Sequence, residues 1–112
     1  MNDNHYQQNL MKINLTITGC MGRMGQQLIK SSNSNKNFKL VSLTENFKIN
    51  RKINNILPEF NGVNSFKRTN VIIDFTIPKC TLEVLKIASK LKKRVVIGTT
   101  GFSKKQENLI KK

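Results

Sequence analysis

The sequence predicts an α/β fold in which helices cover both faces of a doubly wound parallel sheet. The first observation is the stretch Ile13 to Lys30, where an alternating β-branched run is followed by a glycine turn and then by apolar residues at helical spacing. The second is that apolar strands and amphipathic helical segments alternate along the rest of the chain. This pattern is typical of Rossmann-like folds, which bind ligands beyond the carboxyl ends of their strands.

The predicted elements follow the order β-α-β-loop-β-α-β-α. After the first helix and a polar loop, the predicted regular elements are a strand Phe38 to Thr44, a buried strand Asn70 to Phe75, a helix Pro78 to Lys93, a strand Arg94 to Ile97, and a last helix that runs to Lys112. The segment Asn46 to Arg68 between the second and third strands is predicted to be irregular. Within it we expect a short helix near Ile53 to Leu57 and a short strand near Ser65 to Lys67. The last helix is predicted from the capping-box signature of Ser103 and Gln106.

The helix after the third strand carries the clearest boundary signals. Thr76 is placed to cap it, and Pro78 suits its first turn. Its predicted apolar stripe consists of Val84, Ile87, Ala88 and Leu91. Because lysines are concentrated in its last turn, where they interact favourably with the helix dipole, we expect it to end at Lys93.

Length and composition predict one domain with a modest core, since the chain has 112 residues. We expect residues 1–11, which are polar, to be a disordered extension that includes His5, and residues 12–112 to form the domain. Cys20 and Cys80 form no CxxC pair, which favours reduced thiols in the cytoplasm. A single histidine argues against a metal site. The sequence shows neither a secretory signal nor an apolar run long enough to span a membrane.

The net charge of +14 at pH 7 is compatible with a nucleic-acid binder, because a basic face neutralises phosphates. However, the lysines are scattered along the chain and are not interleaved with aromatic residues, as a stacking platform for bases would require. We therefore expect a solvated basic surface and no nucleic-acid partner. Such a surface would still attract small anionic ligands.

The glycine turn has the spacing G-x-x-G-x-x-G. Gly19 allows a sharp turn, Gly22 allows a phosphate to approach the backbone, and Gly25 allows close packing of the helix. Arg23 could add a cationic donor to the phosphates. A strand before the turn and a helix after it favour dinucleotide binding over a tight turn without a ligand.

The strand ends supply the other candidate groups. Glu45 follows the second strand, where a carboxylate accepts hydrogen bonds from the adenosine ribose and repels a 2′-phosphate. Lys48 and Arg51 nearby could still accommodate such a phosphate. Asp74 stands at the end of the third strand, and we expect it to anchor the following turn and not to act as a base. The fourth strand is followed by G-T-T-G, whose small residues would let a flat cofactor lie close to the backbone.

The strings G-C-M-G-R-M-G, V-I-I-D-F-T-I-P and V-V-I-G-T-T-G-F, in this order, resemble the N-terminal domain of the dihydrodipicolinate reductase family of the lysine pathway. The resemblance covers Lys12 to the end of the chain and implies a reductase that transfers hydride from NADH or NADPH to a small cyclic dicarboxylate. It implies the following cofactor-binding residues: Gly19, Cys20, Met21, Gly22, Arg23, Met24, Glu45, Gly98, Thr99 and Thr100. Many members have an arginine after the ribose acid, whereas this chain has Asn46, which favours NADH.

The family's histidine pair, catalytic lysine and substrate loop have no counterpart in this sequence. We therefore expect a truncated cofactor domain without catalytic residues, which alone binds cofactor weakly and is inactive. The resemblance implies that the full-length protein is a homotetramer without a membrane partner. Two alternatives remain open at this stage. One is another Rossmann-type dehydrogenase, such as an amino-acid or semialdehyde dehydrogenase, and the other is a basic nucleotide or nucleic-acid binder without catalysis.

Overall fold

A computed structural model of the chain describes residues 12–98 and 104–105. It contains a parallel sheet of four strands in the order β2-β1-β3-β4, formed by β1 (Ile13–Thr18), β2 (Phe38–Thr44), β3 (Val71–Asp74) and β4 (Arg94–Ile97). The predicted fold class is confirmed. Because β2 lies on one side of β1 and β3 lies on the other, the direction of the chain through the sheet reverses between β1 and β3. Ligands of such sheets bind at this reversal.

Three helices are described: α1 (Arg23–Asn33), α2 (Val63–Phe66) and α3 (Pro78–Leu91). The prediction that Thr76 caps α3 is wrong. Ile77 occupies the cap position, and the Thr76 hydroxyl donates to Asp74 at 2.9 Å instead. Pro78 does stand in the first turn, as predicted. The helix ends two residues before the predicted Lys93, because Lys92 adopts a left-handed conformation with φ of 57°.

The irregular segment after β2 contradicts two predictions. No helix is found near Ile53 to Leu57, since Asn54 and Asn55 have positive φ and close a tight turn in which Ile53 and Ile56 form an antiparallel bridge. The predicted strand near residues 65–67 is wrong as well. The short helix α2 replaces it, because the Ser65 hydroxyl accepts a hydrogen bond from the Gly62 N–H at 3.0 Å and closes its first turn.

The two faces of the sheet are covered differently. Ile29 of α1 packs on one face against Leu15 and Ile17 of β1 and Leu43 of β2. On the other face α2 and α3 pack over a second cluster, which consists of Phe66, Ile72, Val84 and Ala88, with Ile87 and Leu91 at its edge. The predicted stripe of α3 is therefore confirmed. Buried hydroxyls alternate with the apolar residues of β1 and β2, at Thr16, Thr18, Ser42 and Thr44.

Some predictions concern residues that are not described. The expected extension over residues 1–11 lies outside the described residues. Of the expected last helix only residues 104 and 105 are described, and both are helical. Within the described ranges, no helix has the length and apolar character needed to cross a membrane.

Candidate functional site

The glycine turn leaves β1 at Gly19, which has a φ of 65°. A Cβ atom at this position would overlap the carbonyl oxygen of Phe75, which follows β3. Gly19 is therefore required by both its left-handed backbone and the close approach of a neighbouring strand end. The turn is closed by the Gly22 N–H, which donates to the Gly19 carbonyl at 3.1 Å. Together these contacts place the start of α1 directly over the end of β1.

The other two glycines of the turn differ in what requires them. A Cβ at Gly25 would overlap the Gly19 carbonyl and would lie 2.9 Å from the Cα of Cys20, so the first turn of α1 packs tightly on the glycine turn. Gly22 has an extended backbone, with φ of −71° and ψ of 166°, which any residue can adopt. Among the described residues its Cβ would approach only the Gly19 carbonyl, at 3.3 Å. Packing alone thus explains Gly25 but explains little of Gly22.

The N-terminus of α1 has the features of an anion site. Within the described chain no side chain caps it, and its first turn contains no acidic residue. Backbone N–H groups of a first helical turn have no partner within the helix, and the helix dipole adds positive potential there. Arg23 and Met24 begin the helix and are exposed. A phosphate could therefore be held at this end of α1.

Glu45 lies at the end of β2 with only 7% of its surface exposed. Its Oε2 accepts a hydrogen bond from the Met21 N–H at 3.0 Å, and its Oε1 accepts one from the Asn46 N–H at 3.1 Å. The carboxylate thus joins the end of β2 to the glycine turn. Burial and, to a smaller extent, the negative charge of Glu45 together raise the pKa of the neighbouring Cys20 thiol to about 11. Cys20 is therefore a neutral thiol at pH 7.

Asp74 at the end of β3 is fully buried. It accepts hydrogen bonds from the hydroxyls of Thr18 and Thr81, and from that of Thr76 at 2.9 Å. The carboxylate therefore joins the end of β1, the turn after β3 and the first turns of α3, in agreement with the predicted anchoring role. Thr18 and Thr81 were not predicted as partners. Thr18 could have been identified once β1 and β3 were paired, because it lies opposite Asp74 in the register.

Two cavities lie at the chain reversal, one on each side of Gly22. The first has a volume of about 360 Å³ and is lined by Gly19, Met21, Gly22, Glu45, Asn46, Phe47, Phe75, Thr76 and Ile77. The second has a volume of about 420 Å³ and is lined by Gly22, Arg23, Met24, Gly25, Phe75, Thr76, Ile77, Pro78 and Gly98. They share Gly22 and residues 75–77. The result is one groove across the end of the sheet, with the start of α1 at its middle.

The structure brings most of the predicted site residues to this groove. Gly19, Met21, Gly22 and Glu45 line the first cavity, and Gly22, Arg23, Met24 and Gly98 line the second. Cys20 is buried beneath the turn and, within the described chain, lines neither of these cavities. Thr99 and Thr100 lie outside the described residues. The described residues contain no group of three or more ligands that could hold a metal ion.

Sequence reasoning missed two residues of the groove, Phe47 and Ile77. Both are apolar, and both are more than half exposed where they line the first cavity. One signal could have identified Phe47, since it is an aromatic residue only two positions after Glu45, at the end of β2. The sequence offers no such signal for Ile77, which stands between the predicted cap Thr76 and Pro78.

Comparisons with known proteins identify the family that this chain matches. The family model for “Dihydrodipicolinate reductase, N-terminus” matches residues 13–112. The chain is 68% identical over 103 residues to a 4-hydroxy-tetrahydrodipicolinate reductase of Pelagibacter ubique, an alignment that covers 92% of this chain and 40% of the relative. It is 41% identical over 114 residues to the enzyme of that name from Buchnera aphidicola subsp. Acyrthosiphon pisum, covering 89% of this chain and 41% of the relative. The chain therefore spans about two fifths of the length of these curated relatives.

Solved structures show the same fold. A dipicolinate-bound dihydrodipicolinate reductase from a Paenisporosarcina species superposes with a TM-score of 0.72 at 28% identity, over 88% of this chain and 42% of that one. An aspartate semialdehyde dehydrogenase with NADP from Candida albicans superposes with a TM-score of 0.66 at 13% identity, over 80% of this chain and 30% of that one. The second likeness is one of fold alone.

Proposed function

The chain belongs to the dihydrodipicolinate reductase family, whose N-terminal domain it matches, and from this we propose that it holds the nicotinamide cofactor of a 4-hydroxy-tetrahydrodipicolinate reductase. The reaction would transfer hydride from NADH or NADPH to a small cyclic dicarboxylate in lysine and diaminopimelate biosynthesis, and the bound cofactor supplies that hydride. We assign no catalytic residue to this chain. Substrate binding, a homotetramer and a cytoplasmic location belong to the same proposal for the whole enzyme.

The observation that carries the proposal is the division of one groove into two cavities on either side of Gly22. A dinucleotide has the same layout, since two nucleosides flank a central pyrophosphate. The pyrophosphate would meet the N–H groups at the start of α1, with Arg23 as an additional donor. Glu45 would accept hydrogen bonds from the adenosine ribose in the first cavity. Gly98, together with Thr99 and Thr100, would hold the nicotinamide end in the second.

Gly19, Gly25 and Asp74 shape the groove before any ligand binds. Gly19 and Gly25 let the turn and α1 pack closely on the strand ends, and Asp74 holds the turn after β3 against β1 and α3. The groove floor is thereby fixed in the free protein. A site formed in advance costs less conformational entropy when it binds its ligand.

We propose NADH as the preferred cofactor. Although the chain contains 20 Lys and Arg residues, none is among the described residues that line the first cavity. Lys48 and Arg51, which could have accommodated a 2′-phosphate, are exposed and do not contribute to that lining. The acidic residue that does line it, Glu45, would repel a 2′-phosphate. Asn46, which follows Glu45, offers a neutral amide and no charge.

The test is a titration of the 112-residue chain with NADH, with NADPH and with a random DNA duplex, each at two salt concentrations. We expect saturable binding of both dinucleotides, with NADH the tighter ligand, and only weak binding of DNA. DNA binding driven by the +14 charge should fall steeply with salt, because it depends on the release of counterions. Strong, salt-dependent DNA binding in the absence of dinucleotide binding would contradict the proposal.

A further inference from the structure

We propose that Gln26 is a positioning residue for the pyrophosphate of the cofactor, an inference that rests on the cofactor function proposed above. Gln26 lies in the first turns of α1, and its side chain is exposed. Its amide Nε2 donates a hydrogen bond to the Met21 carbonyl at 2.8 Å. The side chain therefore reaches back from the helix to the glycine turn that precedes it.

Gln26 also contacts the turn through its backbone. Its N–H donates to the Gly22 carbonyl at 3.0 Å, which is the bond that an ordinary α-helix forms at its start. The two carbonyls that directly precede α1, those of Met21 and Gly22, thus accept hydrogen bonds from this one residue. Only the bond to Met21 depends on the side chain, so it is the bond that a substitution of Gln26 removes.

The N–H groups of the same two residues are engaged as well. The Met21 N–H donates to Glu45 at 3.0 Å, and the Gly22 N–H donates to the Gly19 carbonyl at 3.1 Å. By contrast, the N–H groups of residues 23–25 donate to no acceptor within the described part of the chain. An anion at this end of α1 would therefore be held by residues 23–25.

The orientation of the peptide between Met21 and Gly22 matters for such an anion. Both residues line the first cavity, so this peptide borders the groove. Because Gly22 has no Cβ, rotation of the peptide meets little steric resistance. A carbonyl oxygen that turned towards the groove would repel a phosphate through its partial negative charge. The Gln26 side chain favours the orientation in which the Met21 oxygen is bonded within the protein.

The test compares two neighbouring glutamines on α1. Gln26→Met removes the donor and keeps a long, unbranched side chain with high helix propensity. Gln27→Met is the matched control, because Gln27 is also exposed and its side chain makes no hydrogen bond with the described residues. Far-ultraviolet circular dichroism and urea unfolding would verify that both variants are folded.

Gln26→Met should weaken binding of ADP and of NADH by about 2- to 12-fold, the range that loss of one neutral hydrogen bond gives. Gln27→Met should bind both ligands as the parent chain does. Adenosine has no diphosphate, so its binding at millimolar concentration should be the same in the parent chain and in Gln26→Met. A general disturbance of the groove would weaken adenosine and ADP alike.

Backbone amide spectra of the ¹⁵N-labelled chain report the same effect at the atoms concerned. On titration with ADP, the amide resonances of residues 23–25 should shift in the parent chain. In Gln26→Met the same resonances should shift only at higher ADP concentration. Titration with adenosine should leave them close to their starting positions in both proteins.

The outcomes separate this inference from the function on which it rests. If the parent chain binds ADP and Gln26→Met binds it equally well, the positioning role is overturned and the cofactor function stands. Equal losses of ADP and adenosine binding in Gln26→Met, or an equal loss of ADP binding in Gln27→Met, would also overturn the positioning role. If the parent chain binds neither ADP nor NADH, the cofactor function is overturned and the inference falls with it.

Discussion

The carboxylate of Glu45 accepts a hydrogen bond from the backbone N–H of Met21 at 3.0 Å. The residue proposed to bind ribose therefore also fixes the middle of the glycine turn. Its second oxygen accepts from the Asn46 N–H at 3.1 Å, so the side chain is held at both oxygens before a ligand is present. Each carboxylate oxygen has a further lone pair, which leaves acceptor capacity for ribose hydroxyls.

The first prediction separates these two roles of Glu45. Glu45→Ala removes both acceptors and should lower the free energy of unfolding by about 1–3 kcal/mol, while weakening NADH binding. Glu45→Gln keeps one acceptor oxygen and should lose less stability, yet it should still bind NADH more weakly because a neutral amide accepts weaker hydrogen bonds. Urea unfolding and NADH titration measure the two effects. Glu83→Gln, an exposed change on α3, is the control. Wild-type stability in Glu45→Ala would contradict the structural role.

The second prediction concerns two glycines of the same turn. Gly19→Ala should destabilise the fold by more than about 1 kcal/mol, because Gly19 has positive φ and its Cβ would overlap the Phe75 carbonyl. Gly22→Ala should cost much less stability but should weaken NADH binding at least as strongly, since its methyl group would stand where the pyrophosphate approaches. The comparison needs thermal unfolding and NADH titration of both variants. Full NADH binding by a folded Gly22→Ala would contradict the placement of the pyrophosphate.

The regular elements of this fold could be predicted because local pattern and tertiary structure agree there. In β1, β3 and α3 the spacing of the apolar residues indicates both the type of element and the side that is buried. The segment after β2 could not be predicted in this way. The turn at Asn54 and Asn55 depends on left-handed residues, and α2 depends on burial of Phe66 under α3, neither of which appears as a period in the sequence.

Prediction of the site had a similar limit. The glycines and Glu45 could be found because their spacing is imposed by the backbone of the turn. Two of the hydroxyl partners of Asp74, Thr18 and Thr81, come from β1 and α3, at sequence separations of 56 and 7 residues. Only the pairing of β1 with β3 brings Thr18 to the carboxylate. Ile77 belongs to the groove for the same reason. Its role depends on how the end of β3 sits against the glycine turn.

The third prediction follows from the raised pKa of Cys20, which is about 11 in the folded chain and has an ordinary value of 9.0. Between these values the unfolded chain loses the thiol proton while the folded chain keeps it. The folded state's preference for the protonated thiol therefore contributes fully to the free energy of unfolding below about pH 9. As the pH rises towards 11 this contribution is lost, and the free energy of unfolding falls by an amount on the order of 2 kcal/mol.

The measurement is urea unfolding at a series of alkaline pH values, on the parent chain and on Cys20→Ala. Because many lysines also titrate in this range, the informative quantity is the difference between the two pH profiles. Cys20→Ala should be less stable at neutral pH, through loss of buried contacts, and should decline less steeply above pH 9. Parallel profiles would contradict the raised pKa of Cys20.

The two cysteines should also differ in reactivity. Cys80, which is partly exposed, should be alkylated faster than Cys20 at neutral pH.

The last prediction concerns cofactor choice at Asn46. Asn46→Arg places a guanidinium beside the first cavity, where Glu45 is the only charged residue of the described lining and would repel a 2′-phosphate. A charge-assisted hydrogen bond contributes about 1.5–3 kcal/mol, so the affinity for NADPH relative to NADH should rise by about 10-fold or more. The control is Asn64→Arg, which adds the same charge at an exposed position on α2. Both variants raise long-range attraction for any anion, but only Asn46→Arg should change the ratio of the two dissociation constants. An equal change of that ratio in both variants would mean that net charge, and not a contact beside Glu45, decides between the two cofactors.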